Sequence, residues 1–230
     1  KVTVSVLYWQ HFSMSALRHQ YVVVRHGFSV PNERHLIVSS MREGQKPEYG
    51  LTAKGKAQAR ALGADLASKL PTLAGPRQTG EPLRVDFVVS PFTRARETAD
   101  IAAAALREAA PGIVVSQRLE PRLRERDFGS LELGTDKAYP KVWAEDKAES
   151  ASSSFGAEHV GSVWKRVTEV VRECEARDQR AAFVLLVAHG DTLQITQAGF
   201  SGMPLSKHRS VAHLNQAEWR LLPNPPKSKL

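Results

Sequence analysis

The sequence predicts a three-layer α/β/α fold around a mostly parallel central sheet, on three observations. Short β-branched or apolar runs recur at residues 21–24, 85–89 and 182–188, the pattern of strands buried on both faces. Stretches with helical spacing of apolar side chains separate these runs. Each run ends in a polar segment suited to anions, and in open α/β sheets ligands bind beyond the C-terminal ends of the strands. A length of 230 residues suffices for one such domain with a sizeable core.

The elements follow in order. Residues 1–20 contain no acidic side chain and no clear period, and read as an N-terminal extension. Its apolar start lacks a small-residue cleavage pattern, so a signal peptide is not expected. Tyr21 to Val24 make a strand that delivers Arg25, His26 and Gly27. Residues 31–50 show little periodicity and read as a long loop. Leu62, Leu66 and Leu70 share one stripe of a helix over residues 54–70, and residues 75–82 are loop by composition. The strand at 85–89 runs into Ser90 and Pro91, predicted as the N-cap and first residue of a helix that reaches Ala109.

Residues 113–115 suggest a third strand, followed by an arginine-rich loop over 118–129. The polar stretch 139–154 reads as a partly mobile loop. Val160, Val163, Val167, Val170 and Val171 give residues 159–177 a helical face. The apolar strand at 182–188 delivers His189, Gly190 and Asp191, with a helix to Gly199 behind it. Residues 218–222 fit a last edge strand. One domain over 21–222 is expected, with a C-terminal tail over 223–230.

Composition narrows the partners. The net charge of +8 favours anions, but the basic residues are scattered, so nucleic acid is not expected. No apolar run is long enough for a membrane span, so no membrane insertion is expected. The single cysteine, Cys174, excludes an internal disulfide framework and suits a reducing compartment.

Three strand ends converge in this scheme: Arg25-His26-Gly27, Ser90 to Arg94, and His189-Gly190-Asp191. A phosphoryl group in transfer carries negative charge on three equatorial oxygens, and fixed cations stabilise it. Arginine donates two parallel bonds to one phosphate. A neutral histidine can attack phosphorus and divide one hard step into two. Arg-His-Gly alone arises by chance in roughly one chain in fifty of this size, and either histidine alone is readily a packed strand-end residue. Two of them, each ending an apolar strand and followed by glycine, point to a site.

These residues resemble the histidine phosphatase superfamily, which includes cofactor-dependent phosphoglycerate mutases. Arg25-His26-Gly27 with Ser29 and Asn32 is similar to its first motif. Leu51-Thr52 with Gly55, Gln58 and Ala59 resembles its second, and Ser90 to Thr98, containing Arg94, its third. Leu123 to Arg126 with Gly129 resembles the segment that supplies an acidic residue. Gly156-Ala157-Glu158 and Ala188-His189-Gly190 complete the series. The resemblance covers residues 21–222 and implies a phosphoglycerate mutase-like fold. It also implies roles: His26 as nucleophile; Arg25, Arg94 and His189 as catalytic residues that bind phosphoryl oxygens, with Ser29, Asn32 and Gly190 assisting; and Glu125 as proton donor. Arg124 and Arg126 are expected to favour the ionised form of Glu125.

Two residues depart from the family pattern: Phe28 after Arg-His-Gly, and His159 where serine is usual. Both bear on specificity, as does the loop over 130–154. The stretch between Glu125 and Glu158 is shorter than in the mutases, which favours a phosphatase. Other motifs fail on chemistry. Gly50 to Ala57 lacks the hydroxyl that a P-loop needs for magnesium. Cys174 and Arg180 have cysteine-phosphatase spacing, but Glu175 and Asp178 lie between them and would repel phosphate. No histidine spacing suits a metal, so neither metal nor cofactor is expected. Ser228, Lys229 and Leu230 match a receptor-read address; an import receptor and a peroxisomal or glycosomal location are expected, the cytoplasm being the alternative.

The leading expectation is a phosphatase acting on small phosphate monoesters through a phosphohistidine at His26. A phosphoglycerate mutase is the runner-up, and a non-catalytic phosphate- or nucleic-acid-binding module is the alternative from another class.

Overall fold

Strands β1 (Gln20–Arg25), β2 (Leu83–Val89), β3 (Ile113–Leu119), β4 (Phe183–Ala188) and β5 (Trp219–Leu221) form one sheet in the order β3-β2-β4-β1-β5. The first four are parallel to their neighbours, and β5 runs antiparallel to β1 at the edge. The structure is a computed structural model that describes residues 17–76, 81–177 and 181–223. Arg180, the prolines beyond Pro223 and the tripeptide Ser228 to Leu230 lie outside the described residues, as do residues 1–16.

The β-branched runs are central because both faces of the sheet are covered. On one face Val22, Val24, Val85, Phe87, Leu185 and Val187 pack with α3 (Ala53–Ala74) and α4 (Thr93–Ala109). On the other, Tyr21, Val23, Val88, Val184 and Leu186 pack with α6 (Val160–Ala176) and α7 (Gly190–Phe200). Successive strand residues point to opposite faces, so apolar runs without alternation serve both layers. Leu62, Leu66 and Leu70 are all buried, as their stripe predicts, and the five valines of α6 are buried with them. Among the described residues no helix is long and apolar enough to cross a membrane.

Several elements differ from the sequence reading. Residues 31–50 are not a plain loop: α1 (Val30–Glu33), α2 (Met41–Gly44) and a 3-10 turn (Pro47–Tyr49) occupy them, too short to show a period. Residues 139–147 form α5 (Tyr139–Lys147), whose polar sequence hides that Val142 and Asp146 are buried. Strand β3 is longer than predicted because its outer positions are exposed at the sheet edge. Leu17 packs against the second core cluster and His19 is buried, so the fold takes in residues ahead of Tyr21. Finally, α4 starts at Thr93 with Phe92 as N-cap, not at Ser90; the Ser90 hydroxyl is engaged elsewhere.

Candidate active site

Register brings the strand ends together. Arg25 pairs with Ala188, and Val89 pairs with Val187, so His26, Ser90 and His189 each follow a strand that ends at the same level. The backbone N–H of His26 donates to Ala188 O at 3.1 Å and that of Ser90 to Val187 O at 2.9 Å, which extends the ladder into the site. A cavity of about 410 Å³ opens here, with Arg25, His26, Arg94, Glu125 and Gly190 at its floor.

The imidazole of His26 is fixed in one tautomer. Its Nδ1 lies 2.8 Å from the Gly27 carbonyl and must donate, which leaves Nε2 as an acceptor for Arg94 Nε at 3.2 Å. Burial, then Arg94 and Arg25, push its pKa well below the usual histidine value, so the ring is neutral. The same holds for His189, which is fully buried. Its ring lies beneath His26, 5.2 Å between centroids, and its Nε2 shares a 2.7 Å hydrogen bond with Ser90 Oγ. That bond is where the predicted capping hydroxyl goes.

Three buried nitrogens here have no partner among the described residues: Arg25 Nε and Arg94 Nη1, on side chains that line the cavity, and His189 Nδ1, on one that does not. Buried polar groups are otherwise almost always satisfied. Oxygens of a tetrahedral anion would supply acceptors to the two arginines. Gly190, at the start of α7, adds a helix N-terminus that favours negative charge.

Glu125 is 7% exposed and lines the cavity. Its Oε1 accepts from the N–H groups of Arg126 (2.9 Å) and Thr192 (3.2 Å) and from Thr192 Oγ1 (3.2 Å). The expectation that Arg124 and Arg126 ionise it is corrected. Arg124 turns to Glu158 at 3.1 Å, and Arg126 to Asp146 and Asp191 at 2.7 and 3.1 Å. Burial first, and then the Asp191 carboxylate, raise the Glu125 pKa against the pull of Arg94. A carboxylic acid held above its usual range can keep a proton to give.

The remaining motif residues hold this geometry. The Gly27 N–H donates to Thr98 Oγ1 at 2.9 Å, and the Phe28 N–H to Gln58 Oε1 at 2.8 Å. A Cβ on Gly55 would stand 2.0 Å from the Phe28 carbonyl oxygen, so only glycine lets α3 approach the first loop this closely. Gly190 has no such restraint, since an added Cβ would meet only ordinary contacts of 3.6 Å and beyond. Glu158 pairs with Arg166 at 2.9 Å, and Arg166 donates to the Arg124 and Glu125 carbonyls.

Of the predicted site residues, Arg25, His26, Asn32, Arg94, Glu125 and Gly190 line the cavity, whereas Ser29 and His189 do not. Ser29 is buried as the N-cap of α1, its hydroxyl donating to Asn32 Oδ1 at 2.8 Å. Phe28 faces the cavity as expected, but His159 does not: it caps α6, accepting from Gly161 N–H at 3.0 Å. Tyr139 and Trp143, within the stretch 130–154 that the sequence connects with specificity but not singled out there, line the cavity, as do Arg209 and His213, which sequence reasoning passed over. His213 Nε2 accepts from Arg25 Nη1 at 2.7 Å and is held neutral, its pKa lowered to about 4 by burial and by Arg25. The one available signal was the basic run Lys207-His208-Arg209 between α7 and β5.

The sequence profile described as Histidine phosphatase superfamily (branch 1) matches residues 21–225. The chain belongs to this superfamily. The mycobacterial glucosyl-3-phosphoglycerate phosphatase, in a complex with VO3, superposes with a TM-score of 0.63 at 24% identity, over 87% of this chain and 89% of that one. A candidate alpha-ribazole-5'-P phosphatase from Escherichia coli gives 0.59 at 21% identity, over 87% and 88%. A Thermus thermophilus protein gives 0.55 at 22%, over 88% and 96%. These likenesses concern the fold. Among curated proteins, comparison by sequence finds no match. The superfamily and the shared fold indicate catalysis of the phosphatase or mutase type.

Proposed function

We propose that this superfamily member hydrolyses small phosphate monoesters in two steps through a phosphohistidine at His26. The observation that carries the reading is the neutral His26 ring, with Nε2 as acceptor, in a cavity where Arg25 and Arg94 each keep a buried nitrogen unpartnered. In the first step the Nε2 lone pair attacks phosphorus. The ester P–O bond breaks, and the leaving oxygen takes the proton held by Glu125. In the second, Glu125 as carboxylate accepts a proton from water, whose oxygen attacks the phosphohistidine. The P–N bond breaks and inorganic phosphate leaves. Arg25, Arg94 and the start of α7 stabilise the equatorial oxygens in both steps, with Asn32 at the rim. His189 supports the His26 ring from beneath.

Hydrolysis is preferred to mutase chemistry because the segment between Glu125 and Glu158 is short. Rapid quenching with an aryl phosphate should trap an acid-labile phosphoprotein. His26→Ala should lose it together with at least about a thousandfold in kcat/KM, on the scale of removing an enzymic nucleophile. Activity that survives this substitution rules out His26 as nucleophile. Net release of phosphate from phosphoglycerate isomers, without isomerisation, separates phosphatase from mutase.

A further inference from the structure

The cavity is larger than a phosphoryl group, and its lining includes apolar and aromatic side chains besides the polar ones around His26. Phe28, Leu36, Val38, Phe128, Tyr139 and Trp143 line its walls. The rings of Tyr139 and Trp143 stack at 5.5 Å and 14°, and Phe128 packs edge-on to Tyr139 at 4.6 Å. This aromatic shelf is anchored: Trp143 Nε1 donates to Asp191 Oδ1 at 3.0 Å, and Arg126 ties Asp191 to Asp146 on the same helix as the shelf.

The other charged lining groups are already paired. Arg25 and Arg94 belong to the phosphate floor. The third lining arginine, Arg209, sits 3.6 Å from the Trp143 ring centroid, and its Nη1 donates to Asp191 Oδ1 at 3.4 Å and to Gln194 Oε1. At the rim the Asp136 carboxylate meets His35 at 3.0 Å. Among the described lining residues there is no other lysine or arginine. A further cation, Lys54, is exposed and lies outside the lining, its Nζ 4.8 Å from the Phe28 ring centroid. A second phosphate or carboxylate beside Tyr139 and Trp143 would face Asp136 and Asp191 with no further unpaired lining lysine or arginine to meet it.

We infer that the site selects monoesters whose leaving group is an uncharged alcohol bearing a planar ring, seated among the Phe28, Phe128, Tyr139 and Trp143 side chains that line the cavity. As a statement about turnover, this rests on the phosphohistidine reading above. As a statement about binding, it does not. Flat apolar groups gain both burial and ring contact on such a surface, whereas a desolvated, unpaired anion is costly.

The test compares benzyl, ethyl and 4-carboxybenzyl phosphate, all esters of primary alcohols, so that leaving-group reactivity stays similar. The expected kcat/KM for benzyl phosphate is at least about tenfold above the other two. Calorimetry with benzyl-, ethyl- and 4-carboxybenzylphosphonate should give the same order of Kd. Trp143→Leu should lower the benzyl-to-ethyl ratio about fivefold, chiefly through KM; if that variant unfolds, Phe28→Leu serves the same purpose. Equal or better handling of the ethyl or carboxybenzyl compound, in turnover or in binding, overturns the inference. Ring-selective phosphonate binding without turnover or phosphoenzyme would support it while removing the phosphatase reading.

Discussion

The floor of the cavity and its aromatic wall are built by different means. Apart from Glu125, which Arg126 and Thr192 hold, the floor consists of residues at or beyond strand ends, and the hydrogen-bond ladder of β1, β4 and β2 sets their positions. The wall residues Tyr139, Trp143 and Arg209 come from α5 and from the segment that follows α7, and none of them extends a strand. The wall is held by buried charge: Arg126, 1% exposed, bridges Asp146 and Asp191. The backbone thus fixes the groups proposed to make and break bonds, and side-chain electrostatics fix the groups proposed to choose the substrate. A sheet tolerates little variation in register, whereas a wall held by a few ion pairs can be rebuilt around the same floor.

This contrast can be broken from either side. The largest effect belongs to the floor. Glu125→Gln should lower kcat/KM for an alkyl phosphate by about 10²- to 10⁴-fold, the usual range for a general acid. It should cost less with an aryl phosphate, whose leaving group needs no proton. The raised Glu125 pKa makes activity on the alkyl ester fall as pH rises through it, and the variant should lose that limb.

The next effect belongs to the wall. Arg126→Met leaves Asp146 and Asp191 buried without their cation and should cost about 3–5 kcal/mol of stability in denaturant melts. Adding Asp146→Leu and Asp191→Asn should restore most of that loss. If Arg126→Met alone is neutral, the wall is not held by this network.

The smallest effect sharpens the floor. Folded His26 and His189 have pKa values well below 6.5, so below that pH the unfolded chain binds protons that the folded chain refuses. Their contribution is complete above pH 6.5 and is lost as pH falls towards the folded values, at up to about 1.4 kcal/mol per pH unit for each histidine. Glu125 acts with the opposite sign, its contribution falling as pH rises through its raised pKa. Wild type and His189→Gln should therefore be compared over one pH series. The variant should show the shallower loss on acidification, and equal slopes would mean that His189 is charged in the fold.

The same division governs what could be read from the chain. The strands at 21–24, 85–89 and 182–188, the leucine stripe of α3 and the valine face of α6 are local patterns, and they place His26, Arg94 and His189 without a structure. The cavity-lining Tyr139 and Trp143 sit in a nine-residue helix whose pattern is polar because its buried face carries Asp146 as well as Val142. Periodicity marks apolar faces, so a face held by a buried ion pair escapes it. The helix starts at Thr93 and not beside Ser90, whose hydroxyl accepts from the Phe92 N–H at 3.4 Å while it also bonds His189 at 2.7 Å, a partner distant in sequence.

By itself the sequence determined the α/β layering, the superfamily and most of the strand-end residues that meet at the cavity. Those follow from strand and helix periods and from short motifs read along the chain. The tertiary structure alone decided that His26 and His189 are neutral and that Glu125 is pushed towards its protonated form. It also decided that Arg124 and Arg126 turn away from that carboxyl and that Arg209 is matched by Asp191. Each of these depends on burial and on partners distant in sequence, and a pKa or an ion pair is a property of what surrounds a residue in space.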